Sequence, residues 1–126
     1  MIALVSCVAQ KLECAAPAKD LYISAWFKKA RIYVEGEFDE WYILSAKHYI
    51  LHPDTVIEPY DEILKNSKEW ADVVNGILDK NKWYTIFAGK KYRKYLNHNL
   101  IIPLEGMGIG KQLQWLNRNT RYIKPC

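Results

Sequence analysis

Three cysteines stand in the 126 residues: Cys7, Cys14 and Cys126. They are too few for a disulfide framework, and no two form a Cys-x-x-Cys pair. A reducing cytoplasm suits such a chain. Histidine is equally scarce. His48, His52 and His98 lack ligand spacing and carboxylate partners, so no metal site and no cofactor are expected. No apolar run approaches the roughly 20 residues of a membrane span, so no membrane partner is expected. The apolar start IALVSCVA carries no basic flank, which argues against a signal peptide. Neither repeats, low-complexity tracts nor linkers interrupt the chain. Nothing in it bears on oligomeric state.

What the chain does have is apolar and aromatic. Half its residues are hydrophobic, with five Trp and nine Tyr, enough to bury a core and to exclude a disordered chain. The length suits a single domain over residues 1–126. The net charge of +4 hides an asymmetry. Residues 1–63 hold six basic and ten acidic side chains, a net of −4; residues 64–126 hold twelve and four, a net of +8. A basic half favours a phosphate-bearing partner, although a solvated lysine surface would give the same count.

The hydrophobic pattern predicts alternating strands and helices. Residues 2–8 (IALVSCV) read as a buried strand, followed by a loop over 9–19 broken by Pro17. Asp20 suits an N-cap, and Ile23, Trp26, Phe27, Ala30 and Val34 recur at helical spacing over 21–35, closed by Gly36. Residues 41–47 (WYILSAK) form the second strand. Residues 48–60, with two prolines and no clean period, read as a long loop with a short extended piece at 55–57. Residues 61–65 suit one helical turn. Ser67 then caps a helix striped by Trp70, Val73, Val74, Ile77 and Leu78. Residues 83–88 (WYTIFA) are a third strand, 90–97 a short basic helix, and 100–104 a fourth strand whose Pro103 suits an edge. A last helix starts with Ile109, Leu113 and Leu116 and runs to about Tyr122. This order implies right-handed crossovers and an α/β fold: a small three-layer Rossmann-like sandwich with a four-stranded, mainly parallel sheet.

Parallel strands end on one edge, where α/β sheets bind ligands. That edge gathers the small, polar and glycine positions: Ser6 and Cys7; Ser45, Lys47 and His48; Gly89 and Lys90; Glu105, Gly106, Gly108 and Gly110. The turn GMGIGK, through Lys111, lets backbone N–H groups approach an anion at a helix start. It is neither a Walker A loop nor a Rossmann fingerprint, and a tight turn alone would also use these glycines. His48 has the ordinary pKa for proton transfer, and Lys47 suits a nucleophile or a phosphate grip. Glu58 and Asp61 could stabilise positive charge on a sugar, and Tyr60 could stack on a base; helix capping and packing are the plain alternatives. Lys11, Lys19, Tyr22 and Ser24 flank the first strand end. Cys7 suits a nucleophile only with a base close by, which His48 supplies if the two strands are neighbours; a buried structural thiol is the plainer reading. Lys90, Lys91, Arg93 and Lys94, interleaved with Tyr92 and Tyr95, suit a nucleic-acid backbone, or merely a helix packed on the sheet.

Together these segments resemble a family of small bacterial and phage proteins known as a domain of unknown function. The likeness rests on Val5-Ser6-Cys7, Ala18-Lys19-Asp20-Leu21-Tyr22-x-Ser24-x-x-Phe27, Trp41 through His48, Ile57 through Asp61, and Pro103-Leu104-x-Gly106-x-Gly108-Ile109-Gly110-Lys111-Gln112-Leu113. Where that family has glycine after Ser-Ala-Lys-His, this chain has Tyr49. The motif order is also similar to the core domain of archaeosine synthase, which works on a 7-deazaguanine base in tRNA. That likeness implies a lysine near the first motif, Lys11 or Lys19. The expectation is a binder of a nucleotide or nucleobase derivative, acting as a transferase or hydrolase at an N-glycosidic bond or base substituent. A non-catalytic phage protein sequestering a signalling nucleotide, or a nucleic-acid-binding protein, are the alternatives.

Overall fold

A computed structural model describes residues 1–120 of the chain. The expected helix end at Tyr122 lies outside them, as does Cys126. The elements in order are β1 (Ile2–Ser6), β2 (Ala16–Pro17), α1 (Ala18–Leu21), α2 (Ala25–Glu37), β3 (Glu40–Ser45), β4 (Tyr49–Leu51), β5 (Val56–Ile57), α3 (Ser67–Ile77), β6 (Trp83–Phe87), α4 (Lys90–Arg93), β7 (Asn99–Ile101) and α5 (Ile109–Asn119). The main sheet has the order β4-β3-β1-β6-β7. β1 pairs in parallel with β3 and β6, and β6 with β7, while β4 runs antiparallel to β3.

The α/β sandwich is as expected, but the sheet has five strands rather than four. The added strand is β4, folded back from β3 through residues 46–48, with Ser45 opposite Tyr49. Tyr49 takes φ = 64°, a left-handed conformation that L-residues other than glycine rarely hold. The expected extended piece at 55–57 is β5, which makes a two-stranded antiparallel ribbon with β2.

β1 lies at the centre and is buried on all five residues, because both faces are covered. Its odd positions, Ala3 and Val5, join Ile43 and Phe87 under α1, α2 and α5, whose Leu21, Phe27, Ala30, Val34 and Leu116 complete that layer. Its even positions, Ile2 and Leu4, join Leu44, Tyr84 and Ile86 under α3, through Trp70, Ala71 and Val74. Full burial of each such Leu, Ile or Val side chain contributes about 1.5–3 kcal/mol.

Several boundaries move. The second helix begins at Ala25, not residue 21, and its N-cap is Ser24, whose Oγ accepts from the Phe27 N–H at 3.1 Å. Asp20 is instead held by Arg31 at 2.6 Å, and Tyr22 forms an antiparallel bridge with Lys11, so the helix cannot start earlier. Asn66 rather than Ser67 caps α3. Residues 61–65 hold no helical turn. The basic helix is one turn, Lys90–Arg93, and β7 ends before Pro103.

Candidate functional site

In an open parallel sheet, a crevice forms where successive connections leave for opposite faces. Here the connection from β1 passes to the face of α2, and the connection from β6 enters α4, whose Tyr92 packs with the α3 layer. The switch point at which such a crevice is expected therefore lies between the ends of β1 and β6, directly beyond Cys7. The Cys7 N–H donates to the Leu44 carbonyl at 2.8 Å, so β1 and β3 are neighbours there, and Cys7 is partly exposed.

A chain of hydroxyls surrounds this point. Cys7 Sγ lies 3.2 Å from the Tyr92 hydroxyl. The Tyr22 and Tyr60 hydroxyls are 2.5 Å apart, and Tyr60 is 2.8 Å from Ser45 Oγ. Ser45 is wholly buried. Its Oγ accepts from the backbone N–H of Lys47 at 3.2 Å and of His48 at 3.0 Å, which locks the β3–β4 turn. Its carbonyl accepts from Trp70 Nε1 at 2.8 Å. Burial raises the Tyr22 hydroxyl to about 12, and raises those of Tyr60 and Tyr92 as well, with the electrostatic effect of the neighbouring Cys7 adding to it at all three. All three stay protonated at neutral pH.

Cations converge on Tyr60. Lys11 Nζ stands 4.5 Å from its ring centroid and Lys47 Nζ 5.8 Å. The His48 ring meets Tyr60 edge-on at 5.3 Å. Lys11 Nζ donates to the Ala9 carbonyl at 3.2 Å, and neither lysine meets a carboxylate among the described residues. Burial, then the Lys47 charge, lowers the His48 imidazole below its usual 6.5, so it is neutral at pH 7.

The fold thus brings together Cys7, Lys11, Tyr22, Ser45, Lys47, His48 and Tyr60, but some roles differ, and Ser6 is buried at the end of β1 without a hydrogen bond to them. Lys11 stands over the Tyr60 face that was expected to stack on a base; the Tyr60 hydroxyl, not its face, joins the cluster. Ser24 is consumed as a helix cap. Lys19 is elsewhere, paired with Asp54 at 2.7 Å beside the start of β3. Glu58 and Asp61 are exposed and make no hydrogen bond or ion pair among the described residues. Tyr92, read from sequence as a packing or stacking ring, was missed as the partner of Cys7. Nothing in its spacing from Cys7 signals that contact, which depends on β6 lying next to β1.

The glycine-rich end forms a separate hollow of about 260 Å³ at the ends of β6 and β7, lined by Gly89, Lys90, Arg93, Gly106 and Gln112 among others. Gly106 has φ = 78°, while Gly108 is the α5 N-cap at φ = −72° and Gly110 lies within that helix. Only the first therefore needs glycine for its backbone. Gln112 bridges Trp26 Nε1 at 2.8 Å to the Met107 carbonyl at 2.9 Å. Arg93 Nε donates to the Ala88 carbonyl, and its Nη1 is 3.5 Å from Glu105, so that acid offsets the cation. Lys111, Lys91 and Lys94 are exposed. A larger hollow of about 360 Å³ lies beside the β3–β4 turn, but Glu62 and Glu69 face it with Lys65 alone, the wrong balance for phosphate.

Residues 2–118 match the model of a family of unknown function, DUF6884. The chain belongs to this family. A relative is the uncharacterized protein YfjM of Bacillus subtilis strain 168, 31% identical in an alignment 125 positions long, which covers 80% of this chain and 78% of that protein. No solved structure matches. These matches do not show the expected likeness to the archaeosine synthase core. Among the described residues, no helix is long and apolar enough to cross a membrane.

Proposed function

We propose that this chain binds a nucleotide or nucleobase derivative in the crevice at the ends of β1, β3 and β6. The observation that supports this reading is the pair of ammonium groups, Lys11 and Lys47, at the Tyr60 ring without carboxylate partners. An unneutralised pair of cations beside a topological switch suits a phosphate. The protonated, half-buried hydroxyl of Tyr92 suits the polar edge of a base. The test is a mass-spectrometric screen of nucleotides and modified bases for retention, followed by titration. Lys11→Ala and Lys47→Ala should each weaken a retained nucleotide about tenfold, the scale of one charge-assisted contact. A screen with no retained member, or variants that bind as the parent does, would sink the reading.

A second reading is that the ligand is turned over at its N-glycosidic bond or a base substituent. It is favoured by the partly exposed Cys7 thiol bonded to Tyr92, and it assigns Glu58 or Asp61 to charge stabilisation and His48 or Lys47 to moving protons or gripping a phosphate. Glu58→Gln with Asp61→Asn should then abolish turnover and spare binding. A ligand recovered chemically intact from the parent protein after heat denaturation supports the non-catalytic alternative.

A further inference from the structure

The hollow at the ends of β6 and β7 takes its walls from both layers of the sandwich. Ile86, Ala88 and Ile102 belong with the α3 layer, Leu104 and Met107 with the layer of α2 and α5. Its volume of about 260 Å³ lies close to the lower end of small-molecule sites. The outer wall is braced: the Met107 N–H donates to the Leu104 carbonyl at 3.1 Å, and Gln112 ties the Met107 carbonyl to the Trp26 indole. One cation is set into this apolar lining. Arg93 borders the hollow with a side chain only 14% exposed. Its Nε–H donates to the Ala88 carbonyl at 3.2 Å, which fixes the guanidinium plane. Its Nη1 reaches Glu105 at 3.5 Å, the outer limit of a hydrogen bond, and the Glu105 side chain is 62% exposed. A guanidinium has five N–H groups. These two contacts leave three of them without an acceptor among the described residues.

We infer that this hollow is a second binding site, for a small organic monocarboxylate whose apolar body fills the hollow and whose carboxylate pairs with Arg93. The fork of a guanidinium matches the two oxygens of a carboxylate. Charge balance sets the class. Arg93 and the exposed Lys90 at the rim, against Glu105, leave one net positive charge. A carboxylate answers that charge. A phosphate monoester brings about −1.5 to −2 at pH 7 and sets the surplus against Glu105. A neutral ligand displaces water from the guanidinium and gives nothing in return. The inference does not depend on the nucleotide reading. Tyr92 in α4 meets Cys7 while its neighbour Arg93 borders the hollow, so a single helical turn parts the two places.

The test titrates the full chain with benzoate, benzamide and phenyl phosphate, read by NMR at the Met107 methyl and the Arg93 side chain. Benzoate should bind about tenfold more tightly than its neutral isostere benzamide, the scale of one charge-assisted contact. Its shifts should fall at Met107 and Arg93, and phenyl phosphate should bind no more tightly. Arg93→Gln should remove the preference for benzoate over benzamide. Because Arg93 also holds the Ala88 carbonyl, a second variant leaves it in place. Glu105→Gln removes the competing acid at an exposed position and should tighten benzoate about threefold, the scale of an exposed ion pair. Equal binding of benzoate and benzamide, binding of neither, shifts confined to Lys11 and Lys47, or phenyl phosphate as the tightest of the three overturns the inference. So does a Glu105→Gln protein that binds benzoate no better than the parent. Nucleotide retention beside Cys7 is read separately by the screen above and stands or falls without these results.

Discussion

Removing the Ser45 hydroxyl tests the site and the fold together. In Ser45→Ala, the Lys47 and His48 N–H groups lose their acceptor and the Tyr60 hydroxyl loses a hydrogen-bond partner. Alanine nearly matches serine in volume, so no cavity opens. Lys47 is exposed, and water can take over its N–H. His48 and Tyr60 are partly buried, and their groups are harder to rehydrate. At about 1 kcal/mol for each bond that water does not replace, the expected loss is about 2 kcal/mol. Urea denaturation reads it as a lower midpoint at unchanged slope. Tyr60→Phe removes the same pair from the other side. The double variant should lose about 1 kcal/mol less than the sum of the two, the coupling expected of directly bonded partners. A Ser45→Ala loss under about 0.5 kcal/mol, within the range of neutral surface changes, would refute the claim that this hydroxyl braces the turn.

Three further outcomes follow. Tyr22 ionises at about 12 in the fold against 10.0 when free, and Tyr60 and Tyr92 are raised as well, so stability is full below pH 10 and falls as pH rises above it; alkaline denaturation monitored by phenolate absorbance should show this, and Tyr22→Phe should lessen the slope between pH 10 and 12 without removing it. His48 has a folded pKa below 6.5, so its contribution is present above pH 6.5 and declines as pH falls below that; His48→Gln should remove this dependence from a set of urea midpoints between pH 7 and 5. Leu4→Ala, at a wholly buried position in the central strand, should cost 2–5 kcal/mol by calorimetry, and a loss under about 1 kcal/mol would contradict that packing.

Strands buried on both faces were the easiest elements to read, since continuous apolar runs such as IALVS, WYIL and WYTIF have few other uses. The start of α2 was misplaced because Asp20 is a good cap by type, yet its carboxylate is drawn to Arg31, eleven residues later. β4 escaped detection because its turn lacks the Asn-Gly or Asp-Gly signal of a tight hairpin and places Tyr49, not glycine, at a positive φ. At the site, the strand-end residues were legible from connectivity alone. The tyrosine hydroxyl cluster was not: Tyr22, Tyr60 and Tyr92 come from three separate segments, and only strand order brings them together. Lys19 misled because it is the next lysine in the chain after the crevice lysine, Lys11, yet it sits in α1 and faces the other end of β3.

The central position of β1 also bears on how the chain is made. Of the five strands in the main sheet, β1 leaves the ribosome first, but its two neighbours are β3 and β6, with Ile2 in register with both Glu40 and Tyr84. A nascent chain that has reached β4 can build one flank of the sheet and no more. Until β6 is synthesised, the other edge of β1 stands unpaired, with five residues of strand backbone open to any extended segment nearby. The Cys7 crevice does not exist at that stage, since one of its two walls has yet to be translated. Completion of the sheet and completion of the site are therefore the same late event in the birth of this protein.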